Sequence, residues 1–184
     1  MLVMRRFVLC CLTVLILGMS CLWSPAAQAS LQDDRFDGNI FALYAGNGSL
    51  VPPRMPLSQA IAEHRPSLLV FYLDDSRDCK QFASVVSQLQ APFGRVVEFI
   101  PVNADTVQGD RPQDPAEAGF YYQGVVPQVV VFDQQGKVRL NQTGLVAYDA
   151  IDDALRSVLD LPARSQTETT RPRILNEINT ELVQ

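Results

Sequence analysis

Leu68 to Leu73 is an unbroken run of six apolar residues, and it constrains the chain more than any other feature. A strand that alternates apolar and polar side chains covers one face of a sheet; an unbroken run is covered on both. The run therefore predicts a central strand between two layers. Phe82, Val85, Val86 and Leu89 follow at helical spacing and make one stripe to lie on that sheet. Pro92 and Gly94 end the helix. A buried strand leading into an amphipathic helix is the start of an α/β domain.

The rest of the chain extends the pattern. Ile40 to Tyr44 is predicted as a first strand, closed off by Gly46-Asn47-Gly48 and Pro52-Pro53. Leu57, Ala60 and Ile61 predict a helix over 57–64, and Val96 to Val102 a strand. Residues 103–115 are polar and read as an exposed loop, followed by a short helix over 116–123. Gln128–Phe132 and Lys137–Asn141 flank Asp133-Gln134-Gln135-Gly136, a hairpin turn. Ile151, Ala154, Leu155 and Val158 mark a last helix over 148–159. The predicted order is β-α-β-α-β-α-β-β-α in one domain, 30–162. That describes a three-layer α/β sandwich, a mixed central sheet flanked by helices. Residues 163–184 read as a flexible tail, in which Ile174, Ile178 and Leu182 could form a helix too short to hold alone in water.

Residues 1–29 have the plan of an export signal. Arg5 and Arg6 precede an apolar stretch from Phe7 to Trp23, and Ala27-Gln28-Ala29 supplies a cleavage site. An uncut anchor is the main alternative, since residues 7–23 approach the length of a spanning helix; a lipoprotein reading through Gly18-Met19-Ser20-Cys21 is weaker, lacking the usual branched residue three places before the cysteine. Cleavage would remove Cys10, Cys11 and Cys21 and leave Cys79 alone. It would also remove two of the 15 basic residues, leaving 13 against 20 acidic ones and a net charge of −7. One cysteine makes no internal disulfide, so the core alone must hold the domain. An acidic chain is a poor partner for nucleic acid.

Three segments then matter together. Phe71, Cys79, Lys80 and Phe82 lie at the strand-to-helix junction; Gly124-Val125-Val126-Pro127 precedes a strand; Gly144 lies between the hairpin and the last helix. In this order the chain resembles the thioredoxin superfamily over residues 38–160. The resemblance implies that fold, a cis bond before Pro127 and a redox site at the junction. The chain departs from the family there. Ser76 stands at the attacking cysteine, Asp75 at the usual tryptophan, and Val70 at the buried acid that assists proton transfer. An alcohol cannot perform thiol-disulfide exchange.

The junction's charges point the same way. Asp74, Asp75 and Asp78 crowd the helix N-terminus, which suits the helix dipole but disfavours a thiolate, and Arg77 offsets only part. Ser76 is expected to cap the helix, worth about 1 kcal/mol. Cys79, a turn further in, is expected to pack as a small apolar group. The Val125, Val126 and Pro127 segment could still pair with an extended peptide through its main chain. The degenerate redox site is thus Ser76 and Cys79, with Asp74, Asp75, Val125, Val126 and Pro127 as candidates for partner binding. No phosphate loop, catalytic triad or ligand cluster is present in the sequence, and neither a cofactor nor a metal is expected.

The export signal, acidic domain, Ser-x-x-Cys junction and polar tail also resemble a narrower group. These are the cyanobacterial thioredoxin-like proteins of the thylakoid lumen and membrane named for photosystem I accumulation. That resemblance implies a non-catalytic protein assisting assembly, with photosystem I subunits or assembly factors as partners. Two alternatives stay open: a single-cysteine redox protein acting through Cys79, and a general periplasmic binding module. Membrane association through residues 7–23 would follow if the signal stays uncut.

Overall fold

The computed structural model describes residues 4–6, 9, 11–13, 29–107 and 112–164. The chain divides into two units, residues 1–30 and 31–184. In the first, the described residues 4–6, 9 and 11–13 are helical and exposed. Among the described residues, no helix is long and apolar enough to cross a membrane. Most of the stretch 7–23 and all of Ile174, Ile178 and Leu182 lie outside the described residues.

The second unit is built on four strands: β1 (Ser67–Tyr72), β2 (Glu98–Asn103), β3 (Gln128–Phe132) and β4 (Val138–Thr143). They lie in the order β2-β1-β3-β4, with β1 parallel to β2 and antiparallel to β3. The helices are α1 (Ile40–Leu43), α2 (Leu57–Ala62), α3 (Arg77–Phe93) and α4 (Tyr148–Val158). The sheet is mixed, and every residue of β1 is buried. Successive side chains of a strand point to opposite faces, so β1 serves two cores at once. Leu68, Val70 and Tyr72 join Phe82, Val86 and Leu89 of α3 and Ile151 and Leu155 of α4. Leu69 and Phe71 join Leu57 and Ala60 of α2 on the other face. The three-layer α/β arrangement is the one the β1 run predicts.

One predicted element is corrected. Residues 40–44 do not form a first strand; Ile40–Leu43 is a short helix. A strand would bury alternate residues, whereas here the neighbours Ile40 and Phe41 are buried and Ala42 and Leu43 are exposed. Asn39 caps the helix, its side chain accepting from the Phe41 and Ala42 amides at 3.2 and 3.3 Å. The helix expected over 116–123 contracts to a 3-10 turn, Ala118–Tyr121. Within the stretch read as an exposed loop, Ala104–Thr106 is a 3-10 turn with Ala104 buried.

The hairpin forms where its turn residues require. Gly136 has φ +72°, a conformation that costs glycine little. The buried Asp133 carboxylate accepts from the Gln135 and Lys137 amides, both at 2.9 Å, and from Arg139 at 2.7 Å. Burial alone would raise its pKa, but these bonds outweigh it and hold the group below the usual carboxylate value.

Candidate functional site

The antiparallel register pairs Phe71 of β1 with Gln128 of β3. The chain leaving β1 and the chain entering β3 therefore meet at one end of the sheet. The first carries Asp74 to Cys79 and the second carries Val125 to Pro127, so the two candidate segments share that end. The Val126–Pro127 bond is cis, and so is Val51–Pro52. Gln128 holds the approach to Pro127. Its side chain donates to the Tyr121 carbonyl at 2.8 Å and to Asn141 at 2.9 Å, and accepts from the Gln123 amide at 2.9 Å. The Pro127 carbonyl accepts from Gly144 at 2.7 Å, where φ is +84°. Val126 packs inward against both cores, whereas Val125 is 52 % exposed.

At the junction, Ser76 is the N-cap of α3. Its Oγ accepts from the Cys79 amide at 3.4 Å, so the hydroxyl serves the helix. Cys79 is 1 % exposed and belongs to the core on the α3 face of the sheet. Burial raises its pKa, and Asp78 and Asp75 push the same way. Bonds to Sγ from Ser76 and from the Leu73 amide at 3.5 Å lower it by less. The thiol is therefore protonated and dry at neutral pH, the opposite of what a nucleophilic cysteine needs.

Asp74 does not face outward as a free carboxylate. It accepts from the Ile40 amide at 3.0 Å, from Asn39 at 3.4 Å and from Asn103 at 3.2 Å, tying α1 and β2 to the junction. Burial lifts its pKa against the Ile40 and Asn103 bonds, with Asp75 and Asp105 adding to the rise. Tyr72, beside it, is pushed up to about 12, first by burial and then by Asp74. Asp75 remains exposed.

The residues that sequence reasoning missed lie ahead of α1. Lys80 is wholly buried, and its ammonium donates to four oxygens of the 33–37 segment. These are the carbonyls of Asp33 and Arg35 at 3.1 and 2.6 Å and the carboxylates of Asp33 and Asp37 at 3.3 and 2.8 Å. Tyr44 closes the pocket, its ring 5.4 Å from the ammonium and its hydroxyl donating to Asp37 at 2.5 Å. Burial would lower the Lys80 pKa, but the Asp37 and Asp33 bonds outweigh it and leave it raised. Asp34 reaches the mouth of α3, its carboxylate accepting from the Arg77 amide at 2.8 Å. The sequence offered one signal, three aspartates between residues 33 and 37, but not their partner, 43 residues from Asp37.

A strand-to-helix junction beside a cis-proline loop, on a mixed sheet in three layers, defines a thioredoxin-like protein. The sequence comparisons agree: residues 54–159 match the thioredoxin-like domain family, and the chain belongs to it. A thylakoid membrane protein of Synechocystis, slr1796, is 47 % identical over 157 residues, spanning 85 % of this chain and 78 % of that protein. Solved structures overlay more loosely. A malarial protein matches at 13 % identity and TM-score 0.42 over 52 % of this chain and 98 % of that one. A yeast mitochondrial 1-Cys peroxiredoxin matches at 16 % and 0.41 over 56 % and 86 %. The family assignment rests on the sequence matches.

Proposed function

We propose that this is a non-catalytic thioredoxin-fold protein of the thylakoid lumen or membrane. It assists the assembly or accumulation of photosystem I through protein contacts, with photosystem subunits or assembly factors as partners. One observation carries the reading: the hydroxyl at the attacking position is bonded to the Cys79 amide, and the remaining thiol is buried with a raised pKa. Neither group can open a disulfide in another molecule. What persists is a surface. Val125 stands exposed beside the cis-proline, Leu145 is exposed next to Gly144, and Asp75 is exposed at the junction. The name of the Synechocystis relative supports the thylakoid part of the proposal.

The test is genetic and quantitative. Deleting the gene in its own cells should lower photosystem I per chlorophyll, and an unchanged level rejects the role. A Cys79→Ser gene should restore the level. If the variant protein is folded and present yet fails to restore it, Cys79 acts as a redox group and the non-catalytic reading is wrong.

A further inference from the structure

We propose that residues 33–37 form a latch that closes the mouth of α3, so that a sulfur returned to position 76 would still not open the site. The latch is held at two points. Asp34 takes the Arg77 amide at 2.8 Å, so a carboxylate from elsewhere in the chain already occupies the positive end of a 17-residue helix. Lys80 grips the main chain of the segment, because two of its four acceptors are the carbonyls of Asp33 and Arg35. Beyond the latch, Asp74 and Asn39 pin the start of α1.

Two consequences follow for a thiol at position 76. Its attack on a disulfide needs room for the second molecule in line with the sulfur, and the latch stands against the adjoining residue, Arg77. Its thiolate would draw on the amides at the helix N-terminus; the Cys79 amide that Ser76 takes now stays within reach, but Asp34 holds the Arg77 amide and its negative charge opposes a second anion there. Ser76 itself is half-buried, so the latch adds a geometric obstacle to the chemical one. This extends the reading of an inert junction but is independent of any photosystem role.

The test measures access at position 76 in the full chain carrying Ser76→Cys and Cys79→Ala. A bulky maleimide adds to the thiolate through its carbon–carbon double bond, the neighbouring carbon takes up a proton, and no oxidant is needed. Labelling of the peptide containing position 76 is followed by mass at neutral pH. Adding Asp34→Ala and Lys80→Met, which breaks the latch and leaves an apolar side chain in the Lys80 pocket, should raise the rate by about tenfold or more. Equal rates within about twofold overturn the proposal. Amide exchange in β1 and β3 reports whether the Lys80 change loosens the whole domain. If it does, Asp34→Ala alone decides, because Asp34 is exposed: a rise of about threefold is expected and no rise overturns the latch. Photosystem levels do not enter this measurement, so its failure and that of the proposed function are separately visible.

Discussion

Cys79 and Lys80 are consecutive residues of α3, both are removed from water, and the fold treats them in opposite ways. The thiol faces the sheet among apolar side chains and stays neutral, because ionisation there would strand a charge. The ammonium faces the 33–37 segment, which brings two carboxylates and two carbonyls to it. Burying a group that can lose its charge needs few partners; burying one that keeps its charge needs a full set. The difference teaches why this junction is quiet. One neighbour is silenced by its surroundings, and the other fastens a segment across the helix mouth.

The comparison breaks most sharply at Lys80. Lys80→Ala takes the ammonium away from Asp33, Asp37 and the two carbonyls of the segment, and should lower the urea midpoint several times as much as Cys79→Ala. Lys80→Met should do less damage than Lys80→Ala, since an apolar chain of similar length fills the space. If Lys80→Ala costs no more than Cys79→Ala, the cluster is not what holds the segment.

The next effect is a pH dependence. Unfolded, the Cys79 thiol ionises near its ordinary 9.0; folded, its pKa is raised. Above that pH the folded chain holds more protons than the unfolded one, so stability falls as pH rises from 9 through the folded pKa. One group contributes a slope of at most about 1.4 kcal/mol per pH unit. Tyr72 and Lys80, both raised, act with the same sign further up. Urea titrations of the native chain and Cys79→Ala across this range isolate the thiol. Parallel curves would mean that its ionisation is unperturbed.

Smaller effects separate packing from capping. Cys79→Ala removes one buried heavy atom and should cost about 1 kcal/mol at neutral pH, read from the same denaturation curves. Asp34→Ala and Ser76→Ala each remove one acceptor from the α3 N-terminus, and about 0.5–1 kcal/mol is expected for each. Ser76→Ala should lie at the lower end, because its bond to the Cys79 amide is 3.4 Å long. A loss above about 2 kcal/mol at Ser76 would show that its hydroxyl does more than cap.

Much of the fold was legible because its signals are local. The apolar run of β1, the stripe of α3 and the turn before β4 each declare themselves within a few residues. Ser76, Cys79 and Pro127 were legible for the same reason, since each sits in a short segment of recognisable form. Residues 40–44 misled because a short apolar run suits a strand or a helix equally. Asn39 and the distant Asp74 decided for the helix. Of the Lys80 cluster the sequence shows only the three aspartates of residues 33–37, not the lysine that two of them hold. A lysine in a helix is ordinarily a solvated side chain, and only folding reveals that α3 turns this one towards Asp33 and Asp37.

Two kinds of information therefore meet at one helix end. The absence of a sulfur at position 76 is written in the chain itself, for no folding can give an alcohol the chemistry of a thiol. How the groups beside it behave was left to the tertiary structure. A side chain's charge and reach depend on which neighbours replace its water, and those neighbours come from segments more than forty residues away.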